Sequence, residues 1–180
     1  MKPALLVIDM LEVFVRGRLR AEGAEEIIPV IARLREEFHR RGLPVIYAND
    51  AHYEFDFEVR HWGPHAIRGS REAEVVPELR PGPRDLIVYK RRYDAFFATD
   101  LDLLLRELGV DTVVLTGVAT DICVLHTAAG AFFRGYRVIV VEDGVAGVTR
   151  ESHRWALDYM KRIYGAEVKK SEELLAALSG

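Results

Sequence analysis

Thr112-Val-Val-Leu-Thr-Gly-Val-Ala-Thr-Asp-Ile-Cys123 is a β-branched run that ends in glycine, turns within a few residues, and delivers a cysteine. A helical pattern follows it, running to about Arg134. Strand, tight turn and helix form the repeat unit of α/β folds, in which helices cover both faces of a parallel sheet. A thiol at that junction sits at the carboxyl edge of the sheet and in the first turn of a helix. Backbone N–H groups and the helix dipole favour a thiolate there.

The same pattern recurs on either side. Ala4-Leu-Leu-Val-Ile8 is a continuous apolar run, as expected of a strand buried on both faces, and it ends on Asp9. Pro44–Ala48 predicts a second strand ending on Asn49-Asp50, and Asp85–Tyr89 a third ending on Lys90. Thr112–Thr116 is the fourth, Arg137–Val141 a fifth ending on Glu142-Asp143, and Ala166–Lys169 a sixth. Helical spacing of Ile27, Ile28, Ile31, Leu34 and Phe38 predicts a helix from Glu25 to Arg41, stopped by Gly42. Further helices are expected over Arg71–Leu79, over Leu101–Leu108 before Gly109, from Thr149 as cap to Tyr164, and after a Ser171 cap. Residues 51–70 carry no clean period but hold His52, Tyr53, Phe55, Phe57, His61, Trp62 and His65. So long and aromatic a loop is expected to be functional rather than disordered.

With 180 residues the chain is expected to fold as one domain over 1–180. Hydrophobic residues make up 49%, charged residues 29%, and the formal net charge is -3, an ordinary globular profile. The 25 basic residues are scattered among 28 acidic ones, so no nucleic-acid partner is expected. No apolar run approaches the ~18–20 residues that span a bilayer, and the N-terminus shows no signal-peptide pattern, so a cytoplasmic protein without membrane partners is expected. A single cysteine excludes an internal disulfide. The chain has no glutamine, one asparagine (Asn49), and far more arginine than lysine, a composition that fits a thermophilic source.

Ligands of open parallel sheets bind outside the carboxyl ends of the strands, where strand order reverses. The predicted strands bring Asp9, Asp50, Lys90 and Cys123 to that edge. Singly, each has an ordinary structural reading: a helix cap or turn residue for Asp9, a solvated basic cluster for Lys90 beside Arg91 and Arg92, a buried filler for Cys123. Together their chemistry fits. A carboxylate can accept the thiol proton, an ammonium can hold both anions in place, and the thiolate can attack an amide carbonyl. Backbone N–H groups at the turn before the helix would stabilise the oxyanion. Protonation of the leaving nitrogen by Asp9 and water attack on the thioester complete the cycle. A rival pairing of Cys123 with His126 is disfavoured, because neighbours on one helix face seldom aim at the same proton.

Asp9-Met-x-x-x-Phe14, Lys90-x-x-Tyr93-x-x-Phe96 and Thr116-Gly-Val-Ala-Thr-Asp-Ile-Cys123-Val together resemble the isochorismatase-like cysteine hydrolases, the superfamily that includes nicotinamidase. The resemblance covers nearly the whole chain, in order. It implies a three-layer αβα fold with a six-stranded parallel sheet in Rossmann-like order 3-2-1-4-5-6, and a catalytic triad of Asp9, Lys90 and Cys123. It also implies a non-proline cis peptide at Val118-Ala119, with the Ala119 and Cys123 N–H groups forming the oxyanion hole. True isochorismatases, which cleave a vinyl ether, typically lack the cysteine, so the resemblance favours hydrolysis of a small carboxamide with release of ammonia. Isochorismatase-type chemistry, N-carbamoyl amide hydrolysis and a non-catalytic oligomeric binder of the same fold are the alternatives. Leu11, Ala51 and Asp94 depart from the nicotinamidase pattern.

Asp50 and His52, two apart in extended chain, share one side, and His65 is within easy reach from a loop. Two histidines and a carboxylate suit zinc or iron, and nicotinamidases carry a matching site. The ordinary reading is that both histidines are hydrogen-bonding loop residues; His61 is a weaker substitute ligand. Phe14, Trp62, Tyr93 and Phe96 are expected to line the substrate pocket. The size of the chain, the aromatic loop and the resemblance lead to the expectation of a homo-oligomer, dimer or tetramer.

Overall fold

Strands β1 (Pro3–Ile8), β2 (Val45–Asp50), β3 (Leu86–Lys90), β4 (Thr112–Val118), β5 (Arg137–Ala146) and β6 (Glu167–Lys169) form one sheet in a computed structural model that describes residues 1–179. All pairings are parallel and the order is 3-2-1-4-5-6, as expected. Helices α1 (Glu12–Val15), α2 (Ile28–Arg40), α3 (Phe57–Trp62), α4 (Leu101–Glu107), α5 (Leu125–Phe133), α6 (Arg150–Tyr164) and α7 (Ser171–Leu178) fill the connections.

The period of two along each strand sorts the sheet into two cores. Ala4, Leu6 and Ile8 of β1 face one layer with Ile46, Ala48, Val113 and Leu115, packed against α4, α5 and α6. Leu5 and Val7 face the other with Val45, Tyr47, Val114 and Ile139, under α2 and α7. Burial on both sides explains why the central strands β1, β2 and β4 read as unbroken apolar runs, whereas the edge strands β3 and β6 are partly exposed.

Several boundaries differ from the sequence expectation for identifiable reasons. Helix α2 starts at Ile28 rather than Glu25, since Pro29 is tolerated only in a first turn. Residues 71–79 form two 3₁₀ turns, Arg71–Ala73 and Pro77–Leu79, separated where Val75 bridges to Leu11. Strand β5 runs on through Glu142-Asp143 to Ala146, because beyond an irregularity between Leu115 and Gly117 its Val145 and Ala146 pair with Gly117 and Val118 of β4. Asp143 accepts from both the N–H and the hydroxyl of Ser171, which is the first residue of α7 rather than its cap. Thr149 does cap α6, in a reciprocal capping box with Ser152. Residues 51–70 hold one helix, α3.

Candidate active site

The strand order reverses between β1 and β4, and the chemically capable residues gather at that point. Gly117 allows the close approach. It has φ +104°, and a Cβ there would lie 2.0 Å from the Ile8 carbonyl oxygen, so β4 can pass beside the end of β1 only as glycine. Asp9 follows at once with φ 52°, a left-handed conformation that aspartate tolerates. The Val118-Ala119 peptide is cis. Cys123 lies in a π-helical turn, Thr120–Val124, which leads into α5.

Asp9, Lys90 and Cys123 are all buried and face one another. Lys90 Nζ lies 2.9 Å from Asp9 Oδ2 and 3.5 Å from Cys123 Sγ, and donates to Asp50 Oδ1 at 2.6 Å and to the Arg92 carbonyl at 3.2 Å. A carboxylate oxygen of Asp9 comes within 4.8 Å of Cys123 Sγ. Asp9 Oδ1 accepts the Asp50 N–H, whereas its Oδ2 contacts Lys90 without hydrogen-bond alignment and accepts no hydrogen bond. That oxygen is therefore available to take a proton.

The charges follow from burial and neighbours. Burial, with Asp50 beside it and Lys90 opposing, pushes the Asp9 carboxyl up to about 6. Burial also pushes the Cys123 thiol up; Lys90 opposes this and Asp9 adds to it. The sequence expectation that the helix dipole would favour a thiolate is thus reversed: desolvation wins, and the resting group is a thiol that needs a base. Burial disfavours the Lys90 ammonium, but Asp50 and Asp9 outweigh it and raise its pKa.

A second cluster adjoins the first. Ligand atoms of Asp50, His52, Glu58 and His65 lie within 4.8 Å of one another, all buried. His52 Nδ1 sits 3.2 Å from Asp56 Oδ2, and His65 Nδ1 is 2.7 Å from the Gly63 carbonyl, so each ring presents Nε2 to the cluster. Asp56 is itself held ionised, well below the usual carboxylate range, chiefly by Arg91. His52 Nε2 is buried without a hydrogen-bond partner, 3.4 Å from Asp50 Oδ2 and 3.5 Å from Glu58 Oε2. Three acceptor atoms converging in a buried site call for a proton or a cation between them. Two nitrogen and two oxygen donors fit a zinc or iron ion. In the absence of an ion, burial and the charge of Asp50 push Glu58 up to about 7.

A cavity of about 230 Å³ opens above both clusters, with Asp9, Asp50, Glu58, His65 and Cys123 on its lining. Its walls include Phe14, Trp62 and Tyr93, the Trp62 indole N–H donating to the Tyr93 hydroxyl at 2.9 Å. Phe96 is a correction. It is buried in the core, stacked at 5.9 Å on Tyr136 and under Arg134, so its ring packs with these residues rather than on the cavity lining. His61 is exposed and outside the cluster. His126 Nδ1 bonds the Ile122 carbonyl of its own helical segment at 2.6 Å.

Sequence reasoning missed Glu58, Asp56, Arg18 and Arg20. The one available signal for Glu58 was an acidic residue embedded between Phe57 and Val59, an unusual place for a solvated charge. Arg18 and Arg20 both line the cavity.

Fold and rim together define a three-layer αβα protein with a buried thiol at the carboxyl edge of its sheet, and comparison with known proteins places it. Residues 3–173 match the isochorismatase domain family, and the chain belongs to that family. Among solved structures it is similar to N-carbamoylsarcosine amidase from Thermoplasma acidophilum, with 47% identity, TM-score 0.89, and coverage of 95% of this chain and 97% of that one. It is also similar to nicotinamidase from Bacillus subtilis, with 36% identity, TM-score 0.89, and coverage of 94% and 100%. A pyrazinamidase of Pyrococcus horikoshii, in complex with zinc, shares 30% identity with TM-score 0.88 over 94% and 99% of the two chains. The fold and the family expected from the sequence are those observed.

Proposed function

We propose that the protein is a cysteine amidohydrolase that releases ammonia from a small carboxamide or carbamoyl compound. The observation that carries this reading is the buried contact of Lys90 with both Asp9 and Cys123 beneath a small-molecule cavity. Amidases among the relatives support the same reaction class. Asp9 Oδ2 accepts the Cys123 thiol proton as sulfur attacks the substrate carbonyl, and Lys90 keeps the resulting anions together. The N–H groups of Ala119 and Cys123 stabilise the oxyanion; among the described residues nothing accepts from the Ala119 N–H. Collapse of the tetrahedral intermediate expels the nitrogen, which takes its proton from Asp9 and leaves as ammonia. Asp9, again a carboxylate, then activates water to cleave the thioester, returning the proton to sulfur and releasing the acid.

Asp50, His52, Glu58 and His65 would hold a divalent metal, zinc or iron, which supplies a Lewis-acid position for a donor atom of the substrate. The ligand cluster stands beside the thiol, so the chain's own contribution there is to orient the substrate rather than to break the bond.

Incubation with a panel of amides and measurement of ammonia tests the reading. Turnover of at least one amide is expected, and Cys123→Ala abolishes it. A Cys123→Ala protein that keeps the wild-type rate would rule out the covalent mechanism.

A further inference from the structure

Two residues of the turn between Ala119 and Cys123 are anchored from outside it. The Thr120 side chain is completely buried, and its hydroxyl lies 2.8 Å from Nδ1 of His153. Among the described residues nothing else bonds that hydroxyl, and a buried hydroxyl needs an acceptor, so it donates to Nδ1 of a neutral ring whose proton is on Nε2. Burial pushes the His153 pKa down, with Arg150 and Arg154 adding to this and Glu142 opposing, which keeps the ring neutral. The next residue, Asp121, accepts the Val148 N–H through Oδ1 at 2.9 Å. His153 is itself firmly held. Its N–H donates to the Thr149 carbonyl in the capped first turn of α6, and Gly147 packs so closely that a Cβ there would lie 2.9 Å from the His153 Cα.

The anchored turn carries the groups that would meet the developing charge. The Ile122 and Val124 N–H groups both donate to the Ala119 carbonyl at 3.1 Å and close the turn on itself, whereas the Ala119 N–H has no acceptor among the described residues. An oxyanion donor is effective only at about 2.7–3.1 Å from the charge, so a small shift of the turn weakens it. We propose that His153 is a positioning residue for the oxyanion hole: by accepting the Thr120 hydroxyl it pins the turn that aims the Ala119 and Cys123 N–H groups at the substrate. His153 does not line the cavity beside Cys123 and acts only through Thr120. Its catalytic effect rests on the amidohydrolase reading, and its anchoring of the turn rests on the geometry alone.

Two measurements test it: ammonia release from nicotinamide, pyrazinamide and N-carbamoylsarcosine, and amide hydrogen exchange over residues 118–124 followed by mass spectrometry. His153→Phe keeps a ring but offers no acceptor, Thr120→Val removes the hydroxyl at nearly constant shape, and His153→Asn offers Oδ1 close to where Nδ1 stands. On any of the three amides that wild type turns over, His153→Phe and Thr120→Val should each lower kcat by about tenfold or more with KM little changed, since the loss falls on the transition state. The double variant should lose no more than either single one, because both remove the same contact. His153→Asn should recover most of the rate. Exchange over 118–124 should quicken in His153→Phe and Thr120→Val and return to the wild-type rate in His153→Asn. Unchanged kcat in Thr120→Val, or losses that add in the double variant, would overturn the inference, and Thr120→Val serves for this even if His153→Phe does not fold. If wild type turns over none of the three amides, the amidohydrolase reading fails for them and exchange alone decides the anchor. Unchanged exchange in Thr120→Val then overturns it, and faster exchange sustains it.

Discussion

Asp9 illustrates how one residue serves the reaction at a cost to the fold. Its carboxyl is held up at about 6 because burial strips it of water and Asp50 adds like charge. An acid whose pKa is raised by folding stabilises the native state below its unfolded value, near 3.8, and that contribution is lost as pH rises through about 6. The form needed to take the Cys123 proton is the carboxylate, the form the fold disfavours. The rate should therefore rise with pH through about 6 and level off above it, since below that value Asp9 already carries the proton it must accept. A pH profile of kcat/KM on an uncharged amide checks this. Asp9→Asn should lose roughly 10²–10⁴-fold and lack that inflection; an inflection unchanged in the variant would assign it to another group. Asp9 was legible in the sequence, since an acid ending a continuous apolar run at a strand's carboxyl end has a definite place in a parallel sheet. Its pKa was not, because Asp50 and Lys90 reach it only through strand register, in which Asp50 pairs with Lys90 across β2 and β3. Phe96 shows the same limit from the other side, since the sequence placed it after a strand but not on a face.

At the scale of elements, the central strands β1, β2 and β4 were legible because each is buried on both faces, and the segment 51–70 was not because it mixes exposed with completely buried residues. Tyr53, Phe55 and Phe57 are exposed there, while His52, Asp56, Glu58 and His65 are buried. No period of two or 3.6 describes that order; α3 is six residues long and is placed by its contacts, with Asp56 bound to Arg91 at the N-terminal end. Aromatic content singled the segment out, and Asp50, His52 and His65, which the structure brings together, were picked from residue type. Glu58 required the helix. The four-donor cluster predicts that protein purified without added metal contains about one zinc or iron per chain, and that His52→Ala contains almost none. Elemental analysis of both decides, and equal content would remove these residues as the ligand set. Glu58→Gln should hold the ion less tightly, since one carboxylate is replaced by a neutral amide, and a chelator titration would show this as earlier loss.

For the molecule as a whole, the unpartnered surface matters as much as the cavity. Phe132, Phe133 and Trp155 are about half-exposed or more, Phe133 at 74%. Their rings, with Tyr159 and Tyr164, form a chain of aromatic contacts 5.1–6.4 Å apart across α5 and α6. Scattered exposed apolar residues need no explanation, but a contiguous aromatic patch marks a surface that another covers. The expected homo-oligomer therefore has a definite location to be tested. Light scattering should give a mass that is a multiple of 20.4 kDa, and Phe133→Glu should lower it. Helix α5 begins at the carboxyl edge of the sheet beside Cys123 and runs back along it, so Phe132 and Phe133 lie at the opposite end from the cavity. Subunits joined through this patch would not close each other's sites, and Phe133→Glu should keep the wild-type rate per chain. A wild-type mass of 20.4 kDa at high protein concentration would remove the patch as an interface between copies.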